Sequence, residues 1–186
     1  MSNPAEGYES YMVPALFGPC ATKLIDVADP RPGERVVDVG CGTGIVARQV
    51  ASLVGATGKV TGIDVSPNML AVAKVAATRK GLTIEWREGN AEELPFPGSS
   101  FDLVLCQFAL MFVTNKAVAL TEMRRVVTQD GRVLISVWQG SIGTRFTRLS
   151  IKSFSSVWEY QRCRTSSRSA VQTNYAHWRL MLDFAE

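Results

Sequence analysis

The stretch VVDVGCGTGI, Val36 to Ile45, joins an apolar run to three glycines and then to a segment with helical spacing. Val36–Val39 has the Val-rich composition of a strand buried on both faces. Gly40, Gly42 and Gly44 permit positive φ and let a ligand approach the backbone closely. A helix N-terminus after such a loop offers unpaired N–H groups and partial positive charge, which stabilise a carboxylate or a phosphate. Asp38 sits just ahead of the loop, where an acid disfavours a pyrophosphate and favours an ammonium group. The loop therefore suits a ligand that carries an anion and a cation close together, such as an amino acid moiety. Glycine spacing agrees, because the third glycine of the dinucleotide pattern G-x-G-x-x-G is Ile45 here.

Working outward, five apolar stretches read as strands: Arg35–Val39, Lys59–Val65, Leu82–Arg87, Phe101–Gln107 and Arg132–Trp138. Helical segments lie between and before them. Thr43–Leu53 sets Ile45, Val46, Val50 and Leu53 at three- and four-residue steps. Pro67–Thr78 opens with Ser66 as N-cap and Pro67 in the first turn. Asn115–Val127 carries Val118, Met123 and Val126 among charged residues, and Pro14–Ala28 precedes the first strand. Strand and helix in alternation predict an α/β, Rossmann-like, doubly wound and mostly parallel sheet. In such sheets the ligand sits outside the carboxyl ends of the strands, where the strand order reverses.

Asp64 ends the second apolar stretch in GIDV. An acid there can accept two hydrogen bonds from ribose hydroxyls. Taken singly, a glycine turn is as often just a turn, and an acid at a strand end is more often a cap or a surface charge. Found in order in a strand–loop–helix context, the two favour binding. An adenosine with an amino acid at its far end satisfies both acids, and S-adenosylmethionine (SAM) is such a molecule.

VVDVGCGTG closely resembles the SAM-binding motif of class I SAM-dependent methyltransferases, and GIDVSPNML resembles the segment that follows it. GNAEELPFPGSSFDLVLCQFALMFV and EMRRVVTQDGRVLISVWQG resemble the later motifs in order. The lead-in YESYMVPALFGPC is similar to that of members of the ubiquinone/menaquinone-biosynthesis type (methyltransferase type 11). The resemblance spans Tyr8 to Gly140. It implies SAM as cofactor and in-line methyl transfer to a small-molecule acceptor. It also implies roles at matching positions. Asp38 would hold the methionine ammonium through water. Gly40, Cys41 and Gly42 would contact the amino acid part through their backbone, and Gly44 would belong to the same cofactor-binding loop. Asp64 would bind the ribose, with Val65 and Met69 against the adenine. Asn90 and Ala91 would meet the adenine edge, and Gln107 would sit under the methionine moiety. Asn90 stands where the family often has Asp; it keeps a carbonyl acceptor and loses the charge. For Asn90 the plainer alternative is a turn residue, and for Gln107, Phe108 and Phe112 it is packing.

No general base is named by the sequence. Tyr8 and Tyr11 are candidates for the acceptor side, although packing is the commoner role, and His177 is the lone histidine. The four cysteines, Cys20, Cys41, Cys106 and Cys163, form no C-x-x-C pair, so four reduced thiols and no metal site are expected. The polar start and the lack of a long apolar run point to the cytoplasm by default.

Residues 1–140 hold 13 Lys and Arg against 14 Asp and Glu, whereas residues 141–186 hold 7 against 3. The basic excess thus lies in the tail, and the core offers no nucleic-acid footprint. Nor does a D/N-P-P-Y/F stretch follow the fourth strand, which runs on into FALMF. The reading is a SAM-binding core over residues 1–140 and an irregular Ser/Arg-rich tail over 141–186, as if the chain were truncated or altered after its fifth strand. The sheet would then be incomplete at its C-terminal edge, with the fifth strand exposed and open to self-association. A SAM-binding but catalytically incomplete fragment is the alternative function, and a nicotinamide oxidoreductase is disfavoured by Ile45.

Overall fold

The computed structural model describes residues 3–138, 144–150 and 158–161. The chain opens with α1 (Pro4–Gly7), continues as a wide π-helical stretch over Tyr8–Phe17, and narrows into α2 (Gly18–Ala28). β1 (Arg35–Val39), α3 (Ile45–Val54), β2 (Lys59–Asp64), α4 (Pro67–Thr78) and β3 (Glu85–Glu88) follow. Then come β4 (Phe101–Gln107), a single 3-10 turn at Leu110–Phe112, α5 (Lys116–Val126), β5 (Val127–Trp138), β6 (Thr144–Ser150) and β7 (Trp158–Gln161).

The sheet order is β3-β2-β1-β4-β5-β6-β7. The first five strands in that order are mutually parallel. β6 and β7 add on antiparallel. The order reverses between β1 and β4, so the crevice for a ligand lies beyond Val39 and Gln107.

Two apolar layers hold the sheet. On one face Val36, Leu103, Leu105 and Leu134 pack with α2 (Ala21, Leu24, Ile25, Ala28) and α3 (Val46, Ala47, Val50, Val54). On the other, Val37, Val39, Val104 and Ile135 pack with Met123 and Val126 of α5 and with Phe96 and Phe101. β1 and β4 are buried on both faces, as their near-continuous apolar composition requires.

Four expectations are corrected. Leu53 does not join the buried face of α3; it is 48 % exposed and Val54 takes its place, because the helix runs one residue further. Val118 likewise stands 40 % exposed, while Met123 and Val126 carry the burial of α5. The helix ahead of β1 reaches back to Pro4, through Pro14, by widening to a π-helical spacing that absorbs the missing N–H. Finally, the fifth strand is not the sheet edge. β6 pairs with it from Trp138↔Thr144 to Arg132↔Ser150, so the basis for self-association through β5 is gone. TRFTRLS places Phe146 and Leu149 at an odd spacing, which hides the strand from a period-2 reading. Backbone pairing to the free edge of β5 defines it instead. Cys163, His177 and the RCRTSSRS patch lie outside the described residues.

Candidate functional site

The site is built from the loop between β1 and α3. Gly40, Gly42 and Gly44 all have positive φ, at 68°, 54° and 81°. A Cβ on Gly40 would run into Ala109, and one on Gly44 into the Trp86 ring. A Cβ on Gly42 would come no closer than 4.0 Å to anything, the neighbour being Tyr8. Gly42 thus faces the crevice, whereas Gly44 acts by letting Trp86 close beneath the loop.

The amides of the loop turn inward. Gly40 and Cys41 both donate to the Ile63 carbonyl, at 2.8 and 3.0 Å, and Gly42 donates to Asp64 Oδ2 at 2.7 Å. Ser66 N donates to the other Asp64 oxygen at 2.9 Å. Asp64 therefore ties the glycine loop to the start of α4, and each of its oxygens keeps a lone pair for a ligand. The N–H groups of Gly40, Cys41 and Gly42 are therefore turned to β2 and Asp64 and are not the ones that would meet an anion. The first turn of α3 has found its own acceptor as well: Ala47 N donates to Asp38 Oδ2 at 3.1 Å.

Asp38 is 1 % exposed. Burial pushes its carboxyl up to about 7, with Asp64 adding to the rise and the Ala47 hydrogen bond opposing it. Two carboxylates at the ends of adjacent strands make a site that welcomes a cation. A buried acid near neutrality is released to its charged form when an ammonium group arrives.

The N-terminal segment closes the crevice from above. Tyr8 stacks on Phe17 at 4.9 Å between centroids, and Phe17 leans on Phe108 at 6.1 Å. Burial raises the Tyr8 hydroxyl to about 12, and Asp64 and Asp38 push the same way, so it stays a phenol and a hydrogen-bond donor. Tyr8 thus lies on the side of the two acids. Tyr11 points out, 76 % exposed. Glu9 pairs with Arg48 of α3 at 2.6 Å, and Arg48 also donates to the Thr43 carbonyl.

The end of β4 completes the floor. Gln107 donates from Nε2 to the Phe17 carbonyl at 3.0 Å, and its Oε1 is buried without a partner. Its register neighbour on β5, Ser136, also has an unpartnered hydroxyl. The next residue, Phe108, is held at φ 54°, a strained conformation for a bulky side chain beside the crevice. Val65 is 64 % exposed at the rim after β2, with Met69 half-buried behind it on α4. Asn90 is exposed and accepts from Glu92 N at 3.0 Å, as a turn residue does; Ala91 is half-buried beside it. Cys41 and Cys106 are buried, and burial holds both thiols above their ordinary range, so neither is a poised nucleophile.

The structure thus gathers Asp38, Gly40, Cys41, Gly42, Asp64 and Gln107 around one crevice and leaves Val65, Met69, Asn90 and Ala91 along its β2–β3 side. Three residues were not singled out for this place: Tyr8 on the cofactor side, Glu9 and Arg48. The available signal was Arg48 itself, a charge set among Val46, Ala47 and Val50 on an apolar face.

Comparison with known proteins agrees with this architecture. The family described as methyltransferase domain matches residues 37–135. The ubiquinone/menaquinone biosynthesis C-methyltransferase UbiE of Ectopseudomonas mendocina is 41% identical over 113 residues, covering 60% of this chain and 44% of that protein. The aklanonic acid methyltransferase DauC of a Streptomyces species is 37% identical over 119 residues, covering 63% of this chain and 54% of that one. A SAM-dependent methyltransferase from Aquifex aeolicus shares the fold, with a TM-score of 0.63 at 22% identity over 89% of this chain and 78% of that chain. The chain spans about half the length of the curated relatives it matches. With an α/β sheet reversing at β1 and β4, a glycine loop flanked by Asp38 and Asp64 at that point, and the match over residues 37–135, the chain belongs to the methyltransferase-domain family.

Proposed function

We propose that this chain binds SAM in the crevice beyond β1 and β4 and transfers its methyl group to a small-molecule acceptor. One observation carries the reading: Asp38 and Asp64 stand at the ends of neighbouring strands, around a glycine loop whose amides face inward. The unit responsible is the core within residues 1–140. The residues present fit the cofactor. The near-neutral Asp38 faces the ammonium, with water between them, and the loop at Gly40, Cys41 and Gly42 lies around the amino acid part. The orphaned Oε1 of Gln107 is a further acceptor. The Tyr8 hydroxyl, a protonated phenol, is a donor available to the cofactor's carboxylate. Asp64 takes the ribose hydroxyls on its remaining lone pairs, Val65 and Met69 flank the adenine, and Asn90 and Ala91 meet its edge. Gly44 shapes the loop without touching the ligand.

When bound, SAM supplies a sulfonium methyl, an already activated electrophile. The chain's part is to hold an acceptor in line with that methyl and to keep water out. Positioning of this kind accounts for about 7–11 kcal/mol of a barrier in favourable cases. UbiE is named for C-methylation in ubiquinone/menaquinone biosynthesis and DauC for methylation of aklanonic acid. Phenolic and quinol acceptors are therefore the class to offer. The test is release of S-adenosylhomocysteine from SAM in the presence of such acceptors. Turnover that needs an acceptor supports the reading; none across the panel, despite SAM binding, contradicts the transfer step.

A further inference from the structure

Arg48 presents a physical puzzle. It is a charged side chain 3 % exposed, on the face of α3 that meets the core. A buried charge is costly unless paired, and its paired carboxylate comes from elsewhere in the chain. That carboxylate is Glu9, on the π-helical stretch that lies over the crevice. The pair is also incompletely satisfied. Arg48 Nε, Glu9 Oε2 and Thr43 Oγ1 are all buried without hydrogen-bond partners. Burial pulls Arg48 below its ordinary value while Glu9 holds it up, so the group remains a cation. A half-satisfied polar network is a poor stabiliser compared with an apolar contact of the same size. It is a good reversible fastening, because both charges regain water when the segment lifts.

The remaining contacts of the segment fit that picture. It is tied at its far end, where Gln107 holds the Phe17 carbonyl, and Val13 is buried. At its near end Ala5 is buried and Tyr8 lies against Gly42, so the segment covers the crevice.

We propose that the Glu9–Arg48 ion pair is the latch of a lid formed by residues 4–17, positioning Tyr8 over the crevice and setting the rate at which cofactor enters and leaves. The consequence for the cofactor rests on the SAM reading above; the latch itself does not. Glu9→Gln removes the charge while keeping the shape, and it leaves the Arg48–Thr43 contact in place. Glu9→Asp, a shorter carboxylate, is the conservative partner, and Tyr11→Ala, at an exposed position on the same stretch, is the control.

Two measurements on the full chain decide the matter. Hydrogen exchange without ligand reads the lid directly: amides of residues 5–17 lose protection in Glu9→Gln, regain part of it in Glu9→Asp and keep it in Tyr11→Ala. Stopped-flow release of SAM reads the consequence: Glu9→Gln releases it about tenfold faster than wild type, as expected for loss of a fastening contact of moderate strength. Unchanged exchange in a folded Glu9→Gln chain overturns the latch. Exchange that changes while release does not overturns the claim about cofactor entry. A wild-type chain that binds no SAM overturns the cofactor reading, and the exchange result still decides the latch.

Discussion

At the residue scale the crevice is dominated by two acids with different surroundings, Asp38 and Asp64. Asp64 is anchored by two backbone amides and bridges the glycine loop to α4. Asp64→Ala removes the proposed ribose acceptor and also frees the loop, so SAM affinity is expected to fall tenfold or more, about 1.4 kcal/mol per decade, in a calorimetric titration. Asp38 titrates near 7 because burial favours its neutral form. Its folded value lies above the ordinary 3.8, so the folded chain holds this proton to higher pH than the unfolded chain does. Its contribution to stability is accordingly greatest at low pH and declines as pH rises through the window from about 4 to about 7. Urea unfolding at both ends of that window, in wild type and in Asp38→Asn, isolates the slope: it is present in the first and absent in the second. SAM binding runs the other way. An ammonium group needs the ionised acid, so affinity drops by roughly a factor of ten per pH unit below about 7, with proton uptake or release visible as a buffer-dependent heat.

At the same scale, the acids and the glycines were legible in the sequence because their types are tied to spacing along a strand–loop–helix. The direction of the loop amides was not. Whether Gly42 N–H points at a ligand or at Asp64 depends on a partner 22 residues away in the chain. The place of Tyr8 was hidden for the same reason. A tyrosine in a lead-in helix reads as packing until the segment is known to fold back over the crevice.

At the scale of elements, two features hold the site's frame. One is the row Asp38, Gly62 and Trp86 across β1, β2 and β3. Gly62 leaves room for the indole: a Cβ there would meet Trp86 at 2.5 Å and Cys41 Sγ at 3.1 Å. Gly62→Val overpacks this row. It is expected to cost about 1–3 kcal/mol in urea unfolding and to weaken SAM binding by displacing Cys41. The other is Arg132 on β5. It donates to both oxygens of Glu34, at 2.7 and 2.9 Å, and to the carbonyls of Ala28 and Asp29 at the end of α2. Glu34, in turn, is held below its ordinary range by Arg132 despite the opposing effect of its burial. Arg132→Met strands a mostly buried carboxylate and two carbonyls, for a loss of roughly 3 kcal/mol by the same measurement.

Element boundaries were recoverable where composition and capping agreed. α4 begins after Ser66, whose side chain accepts from Met69 N at 3.4 Å, and ends at Thr78 as its spacing suggests. Asn115 caps α5 in the same manner. β3 was harder. It is an exposed edge strand of four residues, Glu85–Glu88, so the core imposes little pattern on it and its start was read three residues early. β6 and β7 left still less trace, since pairing by backbone needs no particular alternation of side chains.

At the scale of the whole molecule, strand order converts these local facts into a single site. The reversal between β1 and β4 brings residues from positions 8, 38, 64 and 107 to one crevice, and no pairwise spacing in the sequence encodes that meeting. The alternation of strands and helices does encode it indirectly, which is why the ligand end of the sheet was predictable and the N-terminal segment covering it was not. Among the described residues no helix is long and apolar enough to cross a membrane. The sheet continues past β5 into β6 and β7, so the frame around the crevice extends beyond the segment that resembles the family most closely.

The most direct test of the central claim is a calorimetric titration of the purified chain with SAM and, separately, with NAD. Micromolar binding of SAM with proton exchange near pH 7 and no response to NAD is the predicted result. Heat from NAD, or none from SAM at any pH between 6 and 8 (a range of about one unit either side of the Asp38 midpoint), would contradict it.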